Sequence, residues 1–201
     1  MNIIDATIAA NPYSRPGRVR PETKAIILHW VANPGTSAKA NRDYFASLAK
    51  QKQAPFRYAS AQYIVGLSGE ILRVMPEEEV AWHCGSSQVD PASGRIYTDW
   101  AREVIGEKYA SRWSTPNYAT VGIEMCHPDS TGKFNHETEE AAAVLAADLC
   151  ITHHLNPGTA LGRHFDVVGW KDCPRWWVSN PDKWEAFKTR VAELVNERGG
   201  K

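Results

Sequence analysis

The stretch Arg163-His164-Phe165-Asp166-Val167-Val168-Gly169-Trp170-Lys171-Asp172-Cys173-Pro174 sets an imidazole and a thiol nine positions apart, with a lysine two residues before the thiol. Histidine nitrogen and cysteine sulfur are both donors that suit zinc. A mononuclear zinc enzyme takes three protein ligands and leaves its fourth position for water. The pair is half of a candidate metal site, and one more donor has to come from elsewhere in the chain.

The histidines available are His29, His83, His127, His136, His153, His154 and His164. His29 is the best third ligand, because it closes the apolar run Lys24-Ala25-Ile26-Ile27-Leu28-His29-Trp30-Val31 and a buried strand end holds a side chain rigidly. Taken alone, a histidine in that setting is more often a hydrogen-bonded core residue than a ligand. His153 and His154 would project about 100° apart on a helix and make poor joint ligands; at a helix C-terminus they suit the dipole instead. His136 falls in a polar helix start and is expected to be solvated.

Two further residues bear on chemistry. Glu124 lies among Val121, Ile123 and Met125, where a carboxylate is costly without a purpose. It is the candidate base, able to take a proton from water and deliver it to a leaving amine. Lys171 is the candidate cation for negative charge developing on a carbonyl oxygen, although without its neighbouring ligand it would read as a solvated surface lysine. Asp166 is a weaker candidate, an acceptor that orients His164 or an adjacent loop.

These groups need a scaffold, and the pattern supplies one. Residues 1–22 carry Pro12, Pro16, Gly17 and Pro21, which predicts an extended arm wrapping the domain. The run at 24–31 predicts a strand buried on both faces. Thr36 or Ser37 caps a helix to about Lys50 with Tyr44, Phe45 and Leu48 inward. Tyr63-Ile64-Val65 and Ile71-Leu72-Arg73-Val74 flank Ser68-Gly69 as a hairpin. Residues 86–116 form an excursion in which Thr98 caps a helix through about Ser111 that carries Trp100, Val104, Ile105 and Tyr109. Thr120 to Cys126 predicts another buried strand. Asn135 introduces a helix from Glu137 to about His154, and Asn180-Pro181 starts a last one over about 181–197 with Trp184, Phe187, Val191 and Leu194 inward. Alternating strands and helices imply an α/β layered fold.

Composition narrows the function classes. The length of 201 residues suggests one domain spanning 1–201, with a real core. The 23 basic and 23 acidic residues cancel without forming runs, so the electrostatic footprint of a nucleic-acid binder is missing. Cys84, Cys126, Cys150 and Cys173 lack the dense spacing of a disulfide scaffold. Met1-Asn2-Ile3-Ile4-Asp5 is not a signal sequence and no stretch approaches a membrane span, which implies synthesis in the cytoplasm. A monomer is expected. Arg198-Gly199-Gly200-Lys201 has the composition of a linker's start.

Four motifs in order now carry a resemblance: the strand ending in His29-Trp30, then Ala81-Trp82-His83-Cys84-Gly85, then Asn117 to Glu124, then His164 to Pro174. Over roughly residues 22–178 the chain resembles the zinc N-acetylmuramoyl-L-alanine amidases of phage endolysins and bacterial autolysins, relatives of the peptidoglycan recognition proteins. The resemblance implies a central, mostly buried mixed sheet flanked by helices, with one zinc ion held by His29, His164 and Cys173. It implies Glu124 as the catalytic carboxylate and Lys171 as the lysine before the last ligand. It places His83 in the segment that lines the substrate groove, where Trp82, with Trp100 and Trp113, is a candidate sugar platform. The substrate implied is peptidoglycan or a soluble muropeptide, reached after release if the chain is an endolysin.

The resemblance has two departures. Family members usually carry His-x-Asp-x-x-Gly-Lys-x-Cys-Pro, whereas here Trp170 stands between Gly169 and Lys171. A tyrosine used for catalysis in phage lysozyme-type amidases is replaced near that place by Ala61, leaving its task to Glu124. Two rival readings stay open at this level. One is a binding module without hydrolysis; the other is a structural zinc site, closed by a fourth ligand such as His83 or Cys126.

Overall fold

The apolar run at residues 24–31 becomes an inner strand of a six-stranded mixed sheet, seen in a computed structural model that describes residues 2–199. Met1, Gly200 and Lys201 lie outside the described residues, and so does the end of the Arg198–Lys201 stretch. The strands are β1 (Ile3–Asp5), β2 (Ala25–Trp30), β3 (Tyr63–Val65), β4 (Ile71–Arg73), β5 (Thr120–Met125) and β6 (Leu161–Arg163), in spatial order β1-β4-β3-β5-β2-β6. β2 runs parallel to both β5 and β6, β3 runs parallel to β5, and β3 and β4 form the expected antiparallel hairpin.

The helices are α1 (Ala38–Ser47), α2 (His136–Thr152), α3 (Pro157–Ala160), α4 (His164–Val168), α5 (Arg175–Ser179) and α6 (Pro181–Gly199). Side chains alternate across β2, so its residues serve two layers. Ile26 and Leu28 pack with α2, α5 and α6 through Leu145, Leu149, Trp177, Trp184, Phe187, Val191 and Leu194. Ala25 and Ile27 face the excursion and α4, meeting Tyr97, Ala101, Ile105 and Val167. His29 is next on that second face. Burying three aliphatic side chains of β2 completely, at about 1.5–3 kcal/mol each, is what makes its end a stiff mount.

Two glycines let bulky rings lie flat on this face. A Cβ at Gly162 would come within 2.2 Å of the Trp100 ring, and one at Gly122 within 2.7 Å of the His83 ring. Both glycines pair with Ile27, so the sheet is thin where the rings cover it.

The arm is extended as expected: its start adds β1 in parallel to β4, and Ala6 and Ile8 continue the pairing through N–H groups donated to Arg73 and Val74 carbonyls at 3.0 and 2.9 Å. Other expectations are corrected. Ser37 caps α1 by accepting from the Ala40 N–H at 3.1 Å, but Tyr44 is 44% exposed while Phe45 and Leu48 are buried. Thr98 does accept from the Ala101 N–H at 3.2 Å, yet the helical segment runs through Ala101–Gly106 in wide π-type turns and ends where Gly106 adopts φ +100°. His153 caps α2 with Nε2 2.6 Å from Glu77 Oε1, a specific partner rather than a dipole effect alone. No helix among the described residues is long and apolar enough to cross a membrane.

Candidate metal centre

The pairing of β6 with β2 positions the two imidazoles. Leu28 pairs with Arg163, so one step further along both strands places His164 beside His29. His164 opens α4, a helix of five residues that ends on Gly169 at φ +78°. The chain then folds back, with the Phe165 N–H donating to the Cys173 carbonyl at 3.0 Å, and Cys173 returns under the histidines. Trp170, the residue additional to the family spacing, is 48% exposed and is accommodated on the outside of this turn. Lys171 still lines the groove above Cys173.

His29, His164 and Cys173 are 2, 3 and 3% exposed, and their donor atoms lie within 4.8 Å of one another. Nδ1 of His164 is 3.2 Å from Nδ1 of His29, and Sγ of Cys173 is 3.7 Å from the same nitrogen. A tetrahedral zinc with bonds of about 2.0–2.1 Å to nitrogen and about 2.3 Å to sulfur holds two nitrogens roughly 3.3 Å apart, and nitrogen and sulfur roughly 3.6 Å apart. These two separations fit such an ion.

The electrostatics of the pocket agree with a cation. Burial first, then neighbouring positive groups, hold His29 and His164 well below the ordinary imidazole range, so both are neutral with a lone pair to offer. Burial, followed by the Glu124 charge, pushes the Cys173 thiol up to about 12, against opposition from the Trp30 backbone and Lys171. A divalent ion among these donors reverses that balance and favours the thiolate.

Glu124 is half-buried on β5 directly opposite His29, and its Oε2 is buried without a hydrogen-bond partner. Burial pushes its carboxyl up to about 8, with the Lys171 charge pulling the other way. Lys171 is exposed and has no ion-pair or hydrogen-bond partner among the described residues. Its charge is directed at the groove.

The remaining candidates divide between the groove and other contacts. Asp166 binds Arg163 instead of His164, accepting from its backbone N–H at 2.8 Å and from its guanidinium at 2.7 and 3.0 Å. His83 lines the groove, but its two ring nitrogens are engaged by His29 and Thr120, each at 3.0 Å, which leaves it little to offer a substrate. Trp82 lines the groove with its Nε1–H donated to the Pro12 carbonyl at 3.1 Å. Trp100 instead covers Gly162 in the core, and Trp113, 90% exposed, lies outside the groove lining. Cys126 accepts from the Asn41 amide at 3.7 Å and stands apart from the three donors, and no fourth protein ligand joins them among the described residues. Unforeseen were Asn41, Arg57 and Tyr58 in the groove wall, and Thr120 behind His83. Residues 51–60 carry no periodic pattern, so nothing in their order marked them.

The groove lined by His29, His164, Cys173, Glu124 and Lys171 has a volume of about 570 Å³. Comparison with known proteins agrees with this geometry. The family model described as N-acetylmuramoyl-L-alanine amidase matches residues 19–176. A probable N-acetylmuramoyl-L-alanine amidase of Bacillus licheniformis is 33% identical over 198 residues, covering 98% of this chain and 49% of that protein. The amidase BlyA of Bacillus subtilis is 34% identical over 184 residues, covering 92% and 45%. The chain thus spans about half the length of the curated relatives it matches. The catalytic domain of XlyA superposes with a TM-score of 0.64 over 95% of this chain and 99% of that one, at 24% identity, and shares its fold. The chain belongs to the N-acetylmuramoyl-L-alanine amidase family.

Proposed function

We propose that this chain hydrolyses the amide joining the lactyl group of N-acetylmuramic acid to L-alanine in peptidoglycan, with one zinc ion held by His29, His164 and Cys173. The observation that carries this reading is the convergence of three buried donors, at zinc spacing, on a groove that also receives Glu124 and Lys171. When bound there, zinc supplies Lewis acidity toward the amide carbonyl and toward water.

The rest falls to the chain's own side chains. Glu124 takes a proton from the attacking water and returns it to the departing alanine nitrogen, and a carboxyl near 8 is suited to both transfers close to neutral pH. Lys171, on the groove lip, faces the carbonyl oxygen as negative charge builds there. Tyr44, Phe45, Tyr58 and Trp82 wall the groove with flat apolar rings that suit the faces of sugars, and Arg57 adds a cation for a stem-peptide carboxylate. A chain acting on the wall in this way fits a lytic enzyme that reaches its substrate after release.

Mass analysis of digested peptidoglycan tests the reading. Free alanine amino termini and muramic acid lactyl groups without peptide are expected, with no new reducing sugar ends and one zinc per chain. New reducing ends without free alanine would overturn it.

A further inference from the structure

His83 is a buried polar residue that the mechanism leaves unused, and its surroundings define a direction for the protons near it. The ring is buried, and its partners are His29, Thr120 and Cys84 with no carboxylate among them, so it is neutral and carries a single N–H. The Thr120 hydroxyl has one proton, and it lies 2.9 Å from the Pro116 carbonyl, a group that can only accept. With its proton committed there, the Thr120 oxygen accepts from His83 Nε2–H at 3.0 Å. His83 Nδ1 is then a lone pair, 3.0 Å from His29 Nε2. It accepts a proton that His29 must carry on Nε2. His29 Nδ1 is left bare, and this is the nitrogen facing His164 and Cys173.

We propose that His83 is a positioning residue for the metal: anchored through Thr120 to the Pro116 carbonyl, it holds His29 in the tautomer and ring orientation that present Nδ1 to zinc. The rest of the site is built to keep His83 where it is. The Asn117 side-chain oxygen accepts from the N–H groups of His83 and Cys84 at 3.2 and 2.9 Å, fixing the backbone on either side of the ring. Gly122 leaves room for the ring against β5. The ring also stands edge-on to His29, with centroids 5.2 Å apart and planes at 86°, which directs its nitrogen along the His29 plane edge. Partners that orient a metal-bound imidazole typically change metal affinity by about 10–100-fold when removed.

The role rests on the zinc reading above, but it is tested on metal binding and on the metal-free protein, without any turnover. In the wild-type apoprotein, long-range nitrogen–proton NMR correlations are expected to show His29 protonated on Nε2 and His83 protonated on Nε2. Finding the His29 proton on Nδ1 overturns the proposal even if no variant folds. In chelator competition, His83→Leu is expected to bind zinc about 10–100-fold more weakly. His83→Gln, whose amide can accept from His29 and donate to Thr120, is expected to recover most of that loss. The visible spectrum of the cobalt-loaded protein should shift in His83→Leu and return toward wild type in His83→Gln. A folded His83→Leu with wild-type zinc affinity and cobalt spectrum sinks the proposal while leaving the zinc site intact. Failure of the wild type to bind zinc at all refutes the metal reading instead.

Discussion

Glu124 stands across from His29 in the parallel pairing of β5 with β2, so the two side chains leave the same face of the sheet at the same height. On β5 that face reads Thr120, Gly122, Glu124: a hydroxyl that anchors His83, a gap that admits its ring, and a carboxyl at the groove. On β2 it reads Ala25, Ile27, His29, two packed residues and a proposed ligand. One pleated face thus sets the proposed ligand, its support and the proposed base in a single register.

The unpaired Oε2 of Glu124 has no structural partner to lose. Glu124→Gln keeps the shape and removes the proposed base, so its zinc content should match wild type and its melting temperature should be no lower, while kcat falls by roughly 10²–10⁴-fold. Alanine release from purified walls, measured beside metal content, checks this. A Gln variant that turns over at the wild-type rate would remove Glu124 from the reaction.

Lys171 is exposed and has no partner among the described residues, so replacing it should leave folding unchanged. Lys171→Met is expected to lower kcat by roughly 10²–10³-fold with little change in KM, as for loss of a group that acts on the charge of the transition state. Steady-state kinetics on soluble muropeptides separate the two constants. A rise in KM alone would make Lys171 a substrate-binding residue.

Much of this arrangement can be read before the fold is known, and the reasons differ by residue. His164 and Cys173 are close in sequence, and His29 ends a run whose burial is written in its composition, so all three donors are visible as types in context. The inner stripe of α6 is visible because an amphipathic helix repeats its contacts every turn. His83 is different: its partner His29 lies 54 residues away, and it reaches His29 from a loop packed over Gly122 of β5, beside β2. The arm's β1, at three residues, is too short to leave a pattern, and the π-type turns of Ala101–Gly106 depend on packing against α4 that local propensity does not encode.

Gly122→Ala tests how rigid the His83 position is. The new Cβ would meet three atoms of the His83 ring at 2.7–3.1 Å. Neither side can give way easily, since β5 is paired on both edges and both ring nitrogens are engaged. Overpacking of this kind costs about 1–3 kcal/mol. A lower unfolding midpoint in denaturant is expected together with weaker zinc retention against a chelator. A variant that loses stability but holds zinc as wild type does would show that the ring can move without disturbing His29.

Acid stability should depend on Glu77, far from the metal donors in sequence. Its carboxylate accepts from Tyr63 Oη at 2.6 Å and meets His153 Nε2 at 2.6 Å, while its backbone carbonyl receives the buried Arg20 guanidinium. It therefore ties the hairpin, the end of α2 and the N-terminal arm together. Burial alone would raise its pKa, but the hydrogen bonds from His153 and Tyr63, then the charges of His153 and Arg20, outweigh that and hold it below the ordinary 4.5. The native state then binds fewer protons than the unfolded chain, so the contribution is complete above about 4.5, the unfolded value, and is lost as pH falls through the folded one. Glu77→Gln should be less stable than wild type by about 1–3 kcal/mol at pH 7 and should lack this part of the acid limb. Denaturant unfolding from pH 7 down to pH 3 is expected to show the two stability curves converging below about pH 4.5. Curves that stay parallel across that range would mean the Glu77 charge contributes nothing to stability.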